Sequence, residues 1–334
     1  MRLWLSGAGG FIGHHVLEHV LSVTDWDVEA TDSFRHKGRC DRIAQVLNGH
    51  PDRSARVHVT THDLSAPFSA GETAGFGDVD YMIAMASESH VDRSLADPVP
   101  FVRTNVDVIL NTLELARVLR PRHVIVISTD EVYGPVEPGH AHPEWAPVIP
   151  SNPYSASKAA QEACAVAWWR AYGAPVTIVN CMNLFGERQD PEKFLPMLIG
   201  RISSGDVAPI HGTPGNVGSR HYLHARNLAS ALLHILGELP PQMFPAADRP
   251  DRFNIASPDP VSNLELARQV ADIIGEPLRY QLVDFHSARP GHDPHYGLDP
   301  ARLEAAGWKP PVPFAESLER TVRWSLAHPE WLAG

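Results

Sequence analysis

The chain has 334 residues, 43% hydrophobic and 20% charged, with a formal net charge of -11 and a pI near 5.9. That describes a globular chain with core for two domains or one elaborate one. The acidic balance and the absence of a Lys/Arg-rich run argue against nucleic acid or an anionic membrane as main partner. No apolar run is long enough to span a bilayer, and Met1–Leu5 leads straight into a glycine loop where a signal peptide would be. Cys40, Cys164 and Cys181 form no CxxC pair, so a cytoplasmic location is expected. The 19 histidines include His14-His15 and His140/His142, which lack partners at ligand spacing. They are read as surface and pocket histidines, with no metal expected.

Leu3–Leu5 is a short apolar strand followed at once by Ser6-Gly7-Ala8-Gly9-Gly10-Phe11-Ile12-Gly13. Phe11, Ile12, Val16, Leu17, Val20 and Leu21 then recur at helical spacing. Strand, glycine loop and helix is the setting in which backbone N–H groups cradle a pyrophosphate, with glycines where a Cβ would block the phosphates. Gly7, Gly10 and Gly13, with Phe11 and Ile12 between them, are therefore candidate dinucleotide contacts, although the strict G-x-G-x-x-G spacing fails. Val28–Thr31 is a second strand ending at Asp32, where an acid grips the adenosine ribose and favours NAD over NADP. Arg35, His36 and Lys37 close behind leave room for a phosphate, so that preference stays open. Arg56–Thr60 is a third strand, and Asp63 beyond it is placed to meet the adenine amino group, beside Leu64. Tyr81–Ala84 is a fourth, and Ala84 and Ala86 complete the expected cofactor groove before the polar run Ser87–Arg93.

Phe101–Leu119 reads as a long amphipathic helix, and His123–Ile127 as a fifth, buried strand that feeds Ser128–Gly134. A proline-rich loop, an alanine-rich helix over Ser155–Tyr172 and a sixth strand over Val176–Val179 follow. Six strands alternating with helices predict a Rossmann-type, doubly wound parallel α/β sheet. Beyond Cys181 that rhythm is lost, and Ser262–Ile274 and Pro313–Leu326 read as helices. Residues 1–180 are expected to form the dinucleotide-binding domain, with 217–240 returning to it. Residues 181–216 and 241–334 are expected to form a smaller C-terminal α/β domain that binds the substrate.

The chemistry concentrates in two stretches. Thr129, Asp130 and Glu131 stand at the end of a buried strand, a costly place for polar groups that nothing uses. Tyr154 and Lys158 are i, i+4 on one helix face. A nearby ammonium and the positive ring of oxidised nicotinamide favour phenolate and lower the tyrosine pKa. Tyr154 can then take a proton from a substrate hydroxyl as hydride leaves the same carbon for NAD. Thr129 would share that hydrogen bond, and Lys158 would also reach the nicotinamide ribose. Asp130 and Glu131 repel one another, so one of them can stay protonated, which supplies an acid and a base. Oxidation of a sugar at C4 acidifies the C5 proton; a glutamate can take it while an aspartic acid protonates the departing C6 hydroxyl.

Together with the glycine loop, Tyr154-x-x-x-Lys158 and the polar strand end resemble the extended short-chain dehydrogenase/reductases. Within their NAD-dependent epimerase/dehydratase family the chain most resembles the dTDP-glucose 4,6-dehydratases. The resemblance is carried by Glu88–Ser94, Ser128–Gly134, Ser151–Lys158, Asn180-Cys181-x-Asn183, Pro191-Glu192-Lys193 and Arg289–Asp293, in family order through nearly the whole chain. It implies an NAD that is reduced and reoxidised within one turnover, giving an NDP-4-keto-6-deoxyhexose. It makes Tyr154 the C4 base, with Lys158 and Thr129 assisting, Glu131 the C5 base and Asp130 the C6 acid. Asn183, Lys193, Arg220 and His292 match positions at or beside the nucleotide diphosphate, and Ser89 and His90 are further candidates for the substrate side. A homodimer through the helices Phe101–Leu119 and Ser155–Tyr172 is also implied.

The sequence departs from the family pattern at Leu184, over Ser33–Gly38, over His221–Asn227, and at Pro294 and His295. The nucleotide (dTDP or UDP) and the sugar therefore stay open. Another NAD-dependent nucleotide-sugar enzyme, a C4 epimerase, a UDP-hexuronate decarboxylase or a 5,6-dehydratase, is the alternative reaction. The paired acids favour dehydration over epimerisation and decarboxylation, and leave the 5,6-dehydratase open. A non-catalytic NAD- or nucleotide-sugar-binding protein would be expected to lack the tyrosine, the lysine or the acids, and all are present.

Overall fold

Along β1 (Arg2–Ser6), Leu3 and Leu5 belong to one apolar cluster and Trp4 to another, and all three are fully buried. A strand with no wet face belongs in a parallel sheet covered by helices on both sides. The computed structural model, which describes residues 1–137, 139–284 and 295–333, shows that sheet. β2 (Asp27–Asp32), β3 (Val57–Thr61), β4 (Tyr81–Ala84), β5 (His123–Thr129) and β6 (Val176–Cys181) all pair in parallel with their neighbours. The order is β6-β5-β4-β1-β2-β3, with a seventh strand, Asp251–Ile255, parallel to β6 at the far edge.

The helices of this half are α1 (Phe11–Val23), α2 (Cys40–Gly49), α3 (Ala70–Gly75), α4 (Val91–Ala96), α5 (Pro98–Leu119) and α6 (Pro153–Tyr172). α1, α2 and the helix Ala225–Glu238 contribute to the cluster with Leu3 and Leu5, whereas α5 and α6 contribute to the cluster with Trp4. The strand order reverses between β1 and β4, which opens a crevice at the carboxyl ends of the strands.

The seventh strand corrects the expected sequence division, which gave residues 241–334 wholly to the substrate domain. Asp251–Ile255 is a sheet strand although Asp251, Arg252 and Asn254 are polar. All three are buried, and their side chains find partners: Arg302 for Asp251, Glu162 for Arg252 and the His142 backbone carbonyl for Asn254. The rest of the second half has short two- and three-stranded sheets and its own core, including Leu195, Leu198, Ile199, Leu266, Val270, Leu318 and Val322. Among the described residues no helix is long and apolar enough to cross a membrane.

Candidate active site

The glycine loop turns off β1 with Gly7 at φ +69°, its N–H donating to the Thr31 carbonyl at 2.8 Å. A Cβ at Gly13 would lie 2.0 Å from the Gly7 carbonyl oxygen, so α1 packs onto the loop only with glycine there. A Cβ on Gly7 would lie 3.1 Å from the Ala86 Cα, so the loop and the segment after β4 form one narrow crevice. Ser6 Oγ closes its base by accepting from the Met85 and Ala86 N–H groups at 3.0 and 3.2 Å. Leu64 and Ala84 are buried, and Phe11 and Ile12 are partly buried at the start of α1.

Asp32, at the end of β2, accepts from Gly9 N–H and Phe34 N–H, both at 2.9 Å. Burial raises its pKa against those donors. The three basic residues behind it all face acids. Arg35 pairs with Asp63, His36 stands 3.6 Å from Glu88, and Lys37 stands 2.5 Å from Glu192. Asp63 also accepts from the Ser65 hydroxyl, which holds its carboxyl below the usual range. A buried acid at the end of β2, with its basic neighbours so occupied, suits NAD and opposes a 2′-phosphate.

β5 delivers Thr129 and Asp130 into the crevice, both buried, with Glu131 partly buried beside them. Thr129 Oγ1 donates to Asp130 Oδ1 at 2.8 Å, and Asn152 Nδ2 donates to Glu131 Oε2 at 3.0 Å. Burial raises the pKa of both acids, and the Asp130 charge raises Glu131 further. The Arg220 guanidinium pulls both back, and Lys193 pulls on Glu131. The pair is thus built to hold a proton where ordinary carboxyls have lost theirs.

Tyr154 and Lys158 enter on α6. Asn152 caps this helix by accepting from Ser155 N–H at 2.9 Å, with Pro153 in its first turn. Lys158 Nζ donates to the Ile127 carbonyl at 2.7 Å and to Gln161 Oε1, and burial lowers its pKa to about 8. Without a cofactor bound, burial first and then chiefly the Glu131 charge push Tyr154 well above its usual value, against hydrogen bonding with Thr129. Lys158 is committed to its neighbours instead.

Of the substrate-side candidates, Lys193 and Arg220 converge on the acid pair, and His90 joins them through its proximity to Lys193. Asn183 is partly buried with φ +37°, and Ser89 is exposed. His292 lies outside the described residues. Sequence reasoning missed the supporting shell. Asn105 donates to Ser157 Oγ at 2.9 Å and exchanges hydrogen bonds with the Glu88 backbone, and Gln161 donates to the Asn105 carbonyl at 2.7 Å. Asn180 donates to the Thr129 carbonyl at 2.9 Å and to Glu162 at 2.8 Å, while Glu162 pairs with Arg252 at 2.7 Å. The Asn-Pro step before α6 was the one readable signal, as a helix cap. His14 and His15, read among the surface and pocket histidines, are not on the surface. Both are fully buried on α1, and His15 contacts the Glu187 carbonyl at 3.0 Å.

A glycine-loop crevice in a doubly wound sheet, with tyrosine and lysine on a helix beside a polar strand end, defines an NAD-dependent enzyme of the short-chain dehydrogenase/reductase type. The comparisons with known proteins specify the family. Residues 3–256 match the NAD dependent epimerase/dehydratase family, and the chain belongs to it. It is 32% identical over 346 residues to the probable dTDP-glucose 4,6-dehydratase of Sinorhizobium fredii, covering 99% of this chain and 94% of that one. Its fold matches the DesIV dTDP-glucose 4,6-dehydratase of Streptomyces venezuelae, solved with NAD bound. The TM-score is 0.84 and the identity 31%, over 99% of this chain and 98% of that one. It also matches the UDP-glucose 4-epimerase of Thermus thermophilus in complex with NAD. There the TM-score is 0.83 and the identity 26%, over 97% and 98% of the two chains.

Proposed function

We propose that the protein is an NDP-sugar 4,6-dehydratase, a carbon–oxygen lyase that converts an NDP-hexose into its 4-keto-6-deoxy form. The observation that carries this reading is the acid pair Asp130–Glu131, raised in pKa and set beside Thr129 and Tyr154. The relatives named as dTDP-glucose 4,6-dehydratases agree with it.

The residues fit the cofactor. Gly7, Gly10 and Gly13 keep the loop close against α1 and Ala86 with no side chain in the way, Asp32 would take the ribose hydroxyls, and Lys158 would have to turn from the Ile127 carbonyl and Gln161 to meet the nicotinamide ribose. When bound, NAD accepts hydride from C4 of the sugar and returns it to C6. Tyr154 takes the C4 hydroxyl proton, with Thr129 holding the same oxygen. Burial and the acid pair make that phenol a reluctant acid, so its proton leaves only when positive charge is brought against it. With a carbonyl at C4, Glu131 removes the C5 proton, and Asp130 supplies the proton with which the C6 hydroxyl departs as water. Lys193 and Arg220 hold the diphosphate side. Val99, Val118 and Tyr172 are exposed on α5 and α6 and support a homodimer through these helices.

The test is incubation with dTDP-glucose, UDP-glucose, UDP-N-acetylglucosamine and UDP-glucuronate, with products read by mass spectrometry. Loss of water from one of them is expected. An isobaric product or loss of carbon dioxide would replace dehydration by epimerisation or decarboxylation. Glu131→Gln should still accumulate reduced cofactor absorbance while water loss collapses.

A further inference from the structure

Arg42, on α2, is fully buried, a rare state for an arginine. Its donors are divided among three segments. Nε and Nη2 donate to the Arg188 carbonyl at 3.1 and 2.8 Å, and Nη1 donates to the Lys37 and Gly9 carbonyls at 2.8 and 3.3 Å. Nη2 also stands 3.2 Å from Asp190. Gly9 belongs to the glycine loop, and its own N–H is held by Asp32. Arg188 and Asp190 belong to the turn that leads into Lys193, whose N–H donates to the Asp190 carbonyl at 3.0 Å. Arg188 has a left-handed backbone with φ +63°, a costly state for a non-glycine residue, and the doubled hydrogen bond to its carbonyl helps fix it.

Stability alone does not account for this arrangement, because well-packed apolar side chains generally match or exceed a buried ion pair. A planar fork of five donors supplies fixed geometry between the segments it joins. We propose that Arg42 is a positioning residue that holds the dinucleotide loop in register with the turn carrying Lys193, so that occupancy of one site favours occupancy of the other. This rests on the reading of these sites as those of cofactor and nucleotide sugar. Arg42 itself touches neither ligand.

The test is calorimetric binding of dTDP and of UDP to cofactor-stripped protein, with and without saturating NAD. Wild type, Arg42→Lys, Asp190→Asn and Lys37→Ala are compared. In the wild type NAD should tighten binding of the preferred nucleoside diphosphate by about fivefold or more, and by linkage the reverse effect is equal. In Arg42→Lys and Asp190→Asn the ratio should fall to within about twofold of one while each variant still melts cooperatively. Lys37→Ala, which removes the ammonium from Glu192 and, at 3.9 Å, from Asp190 but keeps the backbone carbonyl that Arg42 uses, should keep the wild-type ratio. A wild-type ratio of one, or a folded Arg42→Lys with an unchanged ratio, would overturn the proposal. If Arg42→Lys does not fold, an unchanged ratio in the near-isosteric Asp190→Asn overturns it instead. The readout is binding, so failure of the dehydratase reading would appear separately, as absence of water loss with the coupling intact.

Discussion

Replacing Glu131 by glutamine should destroy dehydration and, at alkaline pH, stabilise the fold. Glu131 is partly buried against Asp130, and burial plus that like charge raise its pKa above the unfolded value. Below the unfolded carboxyl pKa, near 4, both states are protonated and the group costs nothing. As pH rises, the unfolded chain ionises first, so stability is lost until the folded pKa is passed, and above it the whole penalty applies. At about 1.4 kcal/mol per pKa unit, a folded pKa of about 7 makes the penalty on the order of 3 kcal/mol at pH 8.5. Glutamine keeps the volume and can still accept from Asn152 Nδ2. The ligand-free variant should therefore melt a few degrees higher than wild type at pH 8.5, with the difference closing toward pH 4. Thermal midpoints by scanning fluorimetry across that range measure it. A variant no more stable than wild type at pH 8.5, or a difference that does not change with pH, would refute the claim that this carboxyl is held at a cost.

Asn152→Ala removes both a helix cap, worth about 1 kcal/mol, and the donor on Glu131, so stability and kcat should fall together. Asn152→Ser retains a capping oxygen without the amide donor, and should recover the melting temperature but not kcat in the same steady-state assay. Glu162→Gln leaves Arg252 charged and buried without its carboxylate, at a cost of about 3–5 kcal/mol in urea unfolding. Adding Arg252→Met should restore most of that loss, and failure to do so would mean the pair has other work in the sheet.

Much of the fold was legible because the first six strands follow simple local rules. Leu3–Leu5 and His123–Ile127 are apolar on both faces, and each of the six is followed by a loop or helix signal. The strand Asp251–Ile255 was not legible, because its polar residues are satisfied by partners distant in sequence. Arg252, for example, finds Glu162 on α6. The same limit hid His14 and His15, whose burial depends on the turn around Glu187 closing against α1. Thr129, Asp130, Glu131, Tyr154 and Lys158 could be chosen from residue type and spacing, and the structure brings them to one strand end. Their electrostatics could not be chosen that way. The i, i+4 spacing implies that Lys158 lies near Tyr154, but not that without cofactor its ammonium settles on the Ile127 carbonyl and Gln161, because side-chain direction and local acceptors decide that.

The shell around the strand end explains how two raised carboxyls can be placed firmly without their pKa values being pulled back down. The groups that contact the site residues from the protein side are neutral: Asn152 on Glu131, Thr129 on Asp130, Asn180 on the Thr129 carbonyl and Gln161 on Lys158. A direct Arg or Lys contact there would orient the acids equally well, but would pull their pKa values down by the ordinary salt-bridge amount. The buried Arg252, which reaches the shell through Glu162, is paired by that carboxylate, which separates its charge from the acids. Arg220 and Lys193 are the cations that act on the acids, and both stand on the side proposed for the diphosphate. Substrate binding would spend their charge on phosphate oxygens and strengthen the acids' hold on their proton. The polar shell therefore fixes position with dipoles and leaves charge to the ligand side, where it can change with occupancy.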